Sequence, residues 1–349
     1  MTAFDYSGIL ERHVPPNVSE LMIRIAVTQE RSRIWRQQYP DAFDELRRTT
    51  DIDAAFYSNA CEKIIKDRSR VVGYLSGDAP DIVGMKVLGY SRARDHMLSE
   101  ARKGARLSPE LLLETERILI EAFKDVEADY RRVDGPHTGK GIMTAVRDVA
   151  DSARIEELTE CFCTSVEISM EEGIQPLLLI PAAVSDFHYL SPLAHGNGRV
   201  SRLLSEYLLV RAGFDMILYQ SPDRFVYSNL RRYVSSIYRT SMLRRIDPRE
   251  SMPFTEGFLD CLGDVSSSLN IMFPPPSVER LSKTDRVRHV ALQQEAEFTK
   301  NDIAPALPGI SPTLIQQSLS ELVGKGLLHR TGRTKGCRYV KRRRRFYFI

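Results

Sequence analysis

Gly196-Asn197-Gly198-Arg199, followed by Arg202, has the composition of an anion cradle. Two glycines let a backbone bend and come close to a ligand. Their N–H groups would precede a helix, whose N-terminus favours negative charge. Arg199 and Arg202 are three apart, so they share a helix face and can meet a polyphosphate. Asn197 adds a side-chain donor and acceptor. Just upstream stand His188, Ser191 and His195. Imidazole is the usual group for moving a proton near neutral pH, whereas an aliphatic hydroxyl is far too weak a base. A glycine-rich turn whose arginines pair with nearby carboxylates would have the same composition.

The flanking segments read as the helices that hold this stretch. "QPLLLIPAAVSDFHYL" is an apolar helix running into it. In "GRVSRLLSEYLLVRAG", Val200, Leu203, Leu204, Tyr207 and Leu208 follow helical spacing, and Gly213 is a natural stop. "LSPELLLETERILIEAF" predicts a helix capped by Ser108 with Pro109 in its first position. In "SELMIRIAVTQERSRIWRQ", Ser19 is the expected cap. "DYRRVDGPHTGKGIMTAVRDV", from Asp129, is rich in turn residues and is compatible with a hairpin-like flap. "DRFVYSNLRRYVSSIYRTSMLRR" continues the helical pattern. The prolines of "FPPPS" cannot continue a helix, which places a linker there. Beyond it, "TKNDIAPAL" opens on a Thr299/Asp302 capping pair. "ISPTLIQQSLSELVGKG" opens on Ser311 and Pro312. "LLHRTGRTKGCRYV" reads as two strands around a turn. Short helix, turn, second helix, hairpin is the pattern of a winged helix-turn-helix.

The chain has 349 residues, enough for two or three domains. No apolar run approaches the roughly 18–20 residues that a membrane helix needs. The start of the chain lacks the basic and apolar blocks of a signal peptide. Five cysteines fit neither a zinc site nor a disulfide framework, so reduced thiols and a cytoplasmic location are expected. Charge is unevenly spread. From Glu279 onward there are 15 Lys+Arg and 6 Asp+Glu, leaving 34 basic and 40 acidic residues in the remainder. A basic end on a mildly acidic body points to an anionic partner for that end.

"SPLAHGNGRVSR" resembles the Fic (Fido) family motif H-P-F-x-D/E-G-N-G-R-x-x-R. Pro192, Gly196, Asn197, Gly198, Arg199 and Arg202 match. The likeness extends from about Arg106 to the end of the chain. It includes the helices on either side of the motif and "QSPDRFVYSNLRRYVSSIYRT", similar to the segment closing the adenine side. The resemblance implies a mainly α-helical core with a small β-hairpin flap, followed by a C-terminal winged helix. The corresponding divisions are an N-terminal helical region over 1–105, a core over 106–272, a linker over 273–278 and a basic domain over 279–349. It also implies ATP or another nucleotide as ligand, held by Gly196, Asn197, Gly198, Arg199, Arg202, Asn229 and Tyr233. Family members transfer AMP from ATP to a Ser, Thr or Tyr hydroxyl of a target protein. The motif's His is the general base, and its acidic residue holds Mg²⁺.

Two of those positions depart. Ser191 stands where the base belongs, and losing a general base typically costs about 10²–10⁴ in rate. His195 stands where the metal ligand belongs, and a neutral imidazole is a poor substitute for a carboxylate toward Mg²⁺. No metal site is read from the sequence. Three readings follow. The first is a nucleotide-binding regulator that is weak or inactive in AMP transfer. The second is an active nucleotidyltransferase that uses His188 or His195 instead. The third is a DNA-binding transcriptional regulator, with Thr313, Gln316 and Gln317 on the second helix and Arg333 and Lys335 on the hairpin. A winged helix also serves as a dimer module, so a homodimer is a further expectation. Many members of the family carry an inhibitory S/T-x-x-x-E-G/N helix whose Glu pairs with the second motif Arg. Ser58 and Glu62 of "YSNACEKI" have that spacing, with Lys63 in place of Gly or Asn.

Overall fold

The computed structural model describes residues 4–10, 13–135, 141–273, 282–294, 297–332 and 337–341. The chain divides into two compact units, Met1–Ser266 and Ser267–Ile349. The first unit therefore spans the expected 105/106 division. The proline run expected as a linker lies outside the described residues.

Helices make up the first unit: α1 (Pro16–Gln38), α2 (Pro40–Cys61), α3 (Arg68–Leu75), α4 (Ile82–Lys103), α5 (Pro109–Ile120), α6 (Ile155–Glu171), α7 (Pro176–Leu190), α8 (Asn197–Arg211), α9 (Pro222–Ser228), α10 (Leu230–Leu243) and α11 (Met252–Met272), within which the two units divide. Local chemistry sets most of their ends. Ser108 accepts the Leu111 N–H at the start of α5, with Pro109 first in the helix. Gly104 ends α4 in the left-handed region, at φ 71°. Ser19 does not cap α1. The helix begins three residues earlier, because Pro15 and Pro16 already supply helix-entry dihedrals. The continuous helix expected after Asp223 breaks at Asn229, whose φ of −110° is not helical.

The central element is α8, which packs against α4, α5 and α7. Val200, Leu203, Leu204, Tyr207 and Leu208 are fully buried, as their spacing predicts. The opposite face is buried too: Arg202, Ser205 and Glu206 are 3%, 8% and 2% exposed. Other helices cover the face that amphipathic spacing would leave to solvent, so its polar groups must find partners inside.

The flap departs from expectation. Residues 136–140 lie outside the described residues, and no strand pair forms within the described part. Instead Tyr130 bridges Leu193 of the motif loop in antiparallel fashion. A 3₁₀ turn follows over Ile142–Ala145.

The second unit contains α12 (Lys283–Gln293), β1 (Phe298–Thr299), α13 (Lys300–Ile303), α14 (Pro312–Gly324), β2 (Leu328–Thr331) and β3 (Arg338–Lys341). The strands form an antiparallel sheet in the order β1-β3-β2, with Phe298 opposite Tyr339 and Leu328 opposite Lys341. Val287, Val290, Ile315, Leu319, Leu328 and Tyr339 are among its core residues. Thr299 and Asp302 form the reciprocal capping box that their spacing predicts. Among the described residues, no helix is long and apolar enough to cross a membrane. All five cysteines are free.

Candidate functional site

The motif loop joins the C-terminus of α7 to the N-terminus of α8. Two residues in left-handed conformation make its bends: Ser191 at φ 43° and Gly196 at φ 75°. A non-glycine residue there is uncommon and strained, so its surroundings must hold it. The Ser191 N–H donates to Phe187 O at 2.8 Å, and its Oγ donates to His188 O at 2.6 Å. The serine is fully buried, and its hydroxyl caps the helix. Arg131 completes the cap. Its Nε donates to Ser191 O at 3.1 Å, and its Nη2 to Ala150 O at 2.6 Å and Leu190 O at 3.3 Å. A guanidinium at a helix C-terminus meets both the orphan carbonyls and the negative end of the dipole.

Further bonds fix the rest of the loop. Asn197 clasps Leu193, accepting its N–H at 3.0 Å and donating to its carbonyl at 2.7 Å. The Asn197 amide is therefore committed to the loop itself. The flap lies alongside: Arg131 N–H donates to Pro192 O and Ala194 N–H to Asp129 O, both at 2.8 Å. Fully buried Glu116 on α5 joins both segments, accepting the N–H groups of His195 and Asp129. Burial pushes its carboxyl up to about 7, against the lowering effect of those two bonds. A β-carbon on Gly196 would strike the Leu119 side chain.

At the start of α8 one acidic side chain fills the cradle. Glu62, just after α2, accepts from Arg202 Nη1 at 2.9 Å. A β-carbon on either Gly198 or Gly141 would overlap its carboxylate. Two glycines thus let Glu62 lie against the loop, over the helix N-terminus, where an anion would sit. Lys63 follows at φ 59°, the left-handed geometry that glycine or asparagine adopts more readily. Arg202 is held from other sides as well. Its Nε donates to Ser58 Oγ at 3.0 Å and lies 3.2 Å from Asp223 Oδ1; its Nη2 donates to Ser58 O at 2.8 Å.

Arg199 contrasts with Arg202. It is 9% exposed, and its hydrogen bonds to Asn59 Oδ1 and Lys86 O are both long, at 3.5 Å. Among the described residues no carboxylate comes within ion-pair distance of it. Burial pushes its guanidinium down to about 10, against the pull of Glu62. Beside the loop opens a cleft of about 600 Å³, bordered by Glu62, Asp129, Tyr130, Thr144, Gly196 and Gly198.

The other sequence-predicted residues fall elsewhere. His188 is buried on α7 with its ring edge-on to Phe254, 5.0 Å between centroids. It borders a separate small cavity with Ser185 and Thr240, not the cleft. His195 is exposed at the loop. Asn229 is exposed and donates to Asp264 Oδ2 at 3.0 Å. Tyr233 is buried at a small inner cavity behind Arg202. On α14 of the second unit, Thr313 and Gln317 are exposed, while the Gln316 amide donates to Tyr339 Oη at 2.9 Å. Arg333 and Lys335 lie outside the described residues. Sequence reasoning missed Arg131, Glu116 and Asp223. Among the described residues no group of three or more His, Cys, Asp or Glu is placed to hold a metal ion. The carboxylates near the loop are already engaged, Glu62 by Arg202 and Glu116 by two backbone N–H groups.

Several solved structures share this fold. A Fic family protein from Desulfovibrio desulfuricans G20 aligns with TM-score 0.59 and 18% identity, over 95% of this chain and 97% of that one. A Fic domain containing signaling protein from Bacteroides thetaiotaomicron VPI-5482 aligns with TM-score 0.55 and 16% identity, over 72% of this chain and 96% of that one. Residues 134–508 of Fic-1 from C. elegans align with TM-score 0.52 and 15% identity, over 72% of this chain and 71% of the other. No protein-family model and no curated protein matches the sequence. The chain has the Fic fold.

Glu116 gives a pH test. Its carboxyl titrates near 4.5 ordinarily and near 7 in the fold. Between those values the folded state holds a proton that the unfolded chain has lost, so this residue's contribution to stability falls as pH rises. Urea titrations of Glu116→Gln between pH 4.5 and 7 should show a flatter pH dependence than the parent protein. Parallel curves would contradict the assignment.

Proposed function

We propose that this chain binds a nucleotide through its phosphates at the Gly196–Arg202 stretch, and that Glu62 holds the seat closed. Arg199 carries the reading. A buried cation with no ion-paired carboxylate among the described residues is costly, and an anion seated at Gly196, beside which the Arg199 guanidinium lies, would remove that cost. The bound group would meet Arg199, the N–H groups at the start of α8 and, once Glu62 moves aside, Nη1 of Arg202. A cleft of about 600 Å³ is within the usual range for a small-molecule site. Glu62 is itself an anion in that seat, so ligand and carboxylate compete for one place.

For chemistry the residues argue the other way. The Ser191 hydroxyl is spent on His188 O, and the His188 ring faces Phe254, away from the cleft. Among the described residues, His195 is the one imidazole at the loop that could take a proton from a protein hydroxyl. The chain thus reads as a nucleotide-responsive regulator, weak or inactive as a protein AMP-transferase. The second unit supports a second reading, a winged helix that contacts DNA. Its order of helix, strand, two helices and hairpin fits, and α14 presents exposed Thr313 and Gln317, side chains able to read base edges.

Calorimetric titration with ATP tests the seat. Glu62→Gly should bind at least about tenfold more tightly than the parent, the effect of removing one competing charged contact. Equal affinities would overturn Glu62 as the closure. Incubation with α-labelled ATP, divalent metals and a cell lysate tests the chemistry: no label should pass to protein from the parent chain, and transfer would show that His195 or another base works.

A further inference from the structure

The two motif arginines differ in what neutralises them, and the difference lies on the side of Arg202 away from the cleft. Glu62 approaches Arg202 from the cleft, which it borders, and its side chain is 14% exposed. Asp223 approaches from behind, on the first turn of α9, and is 2% exposed. It borders a small inner cavity with Glu206, Tyr233 and Cys261 and does not border the cleft. Its Oδ1 faces Arg202 Nε at 3.2 Å, and its Oδ2 accepts from the fully buried Tyr90 hydroxyl at 2.9 Å. A ligand arriving through the cleft can displace Glu62. Asp223 lines the inner cavity together with Arg202 and is not among the residues that line the cleft.

Resting on the nucleotide-binding reading above, we propose that Asp223 is a built-in counter-charge that sets how strongly the seat holds phosphate. With Glu62 in place, one guanidinium faces two carboxylates. When Glu62 moves aside, Asp223 still cancels the charge of Arg202. The incoming phosphate then meets hydrogen-bond donors at Arg202 but full positive charge only at Arg199. Burial disfavours charge in this interior, so an ion there is felt strongly. Asp223 thereby weakens both occupants of the seat, the ligand and Glu62. A more highly charged occupant loses more.

A double-mutant cycle reads this directly. ATP affinity is measured by calorimetry for the parent, Glu62→Gly, Asp223→Asn and the double variant, each checked for folding by thermal melting. In the Glu62→Gly background, Asp223→Asn should tighten ATP binding about tenfold, one charged contact's worth. With Glu62 present the gain should be clearly smaller, because Glu62 is strengthened by the same change. If the asparagine variant does not fold, Asp223→Ser removes the same charge and takes its place in the cycle. Unchanged or weakened binding in the Glu62→Gly background, or an equal gain in both backgrounds, would overturn the counter-charge role. No ATP binding by any folded variant would instead overturn the nucleotide-binding reading on which it rests.

Discussion

The structure depends on how a guanidinium is buried. Helix α8 lies in the middle of the first unit with its polar face covered, so Arg202 has no water to turn to. Stripping a charge of solvent costs several kcal/mol unless partners replace the water. Here Ser58 and Glu62 come from α2 and its end, and Asp223 from α9, with Tyr90 of α4 holding Asp223 in turn. Of these helices, α4 and α2 pack on α8, and α9 packs on α2. The buried charge of Arg202 is thus one reason why these elements converge. Arg94 and Glu206 repeat the solution one turn further along, paired at 2.8 Å with both side chains 2% exposed.

The second constraint is the path of the loop. Turning from α7 into α8 within so few residues takes two left-handed residues, and only one of them is glycine. At Ser191 the strain is held by a hydroxyl bonded back into α7 and by the Arg131 guanidinium over the helix end. A small hydroxyl residue suits that capping geometry, which gives the serine a structural role at the position where the Fic motif has its base. The glycines and arginines of the motif are kept, while the hydroxyl of Ser191 is spent on His188 O and the His188 ring packs on Phe254.

Much of this was legible because it is local. The capping pairs at Ser108, Thr299 and Ser311, the stripe of α8 and the spacing of Ser58 and Glu62 are all set within a few residues, where helix geometry fixes who meets whom. The turn of the expected hairpin-like flap lies outside the described residues, and nothing in the flap sequence signals that Tyr130 would bridge Leu193 of the motif loop. Ser19 was misread because two prolines start the helix before a cap is needed. Arg131, Glu116 and Asp223 gave no signal at all. Each acts on residues that are distant in sequence, and a lone Arg, Glu or Asp on a helix or loop ordinarily reads as a solvated surface charge. What could have raised attention was the polar face of α8: two arginines and a glutamate on a helix with apolar neighbours must find counter-charges somewhere.

The central claim is that Arg199, a buried guanidinium with no ion-paired carboxylate among the described residues, recruits phosphate. Replacing that one charge, with Glu62 already out of the seat, isolates it. ATP affinity of Glu62→Gly should be compared with that of Glu62→Gly/Arg199→Met by calorimetry at fixed salt. The account predicts a loss of roughly tenfold to a hundredfold, the range for a charge-assisted contact in a buried site. Equal affinity for the two proteins would contradict it.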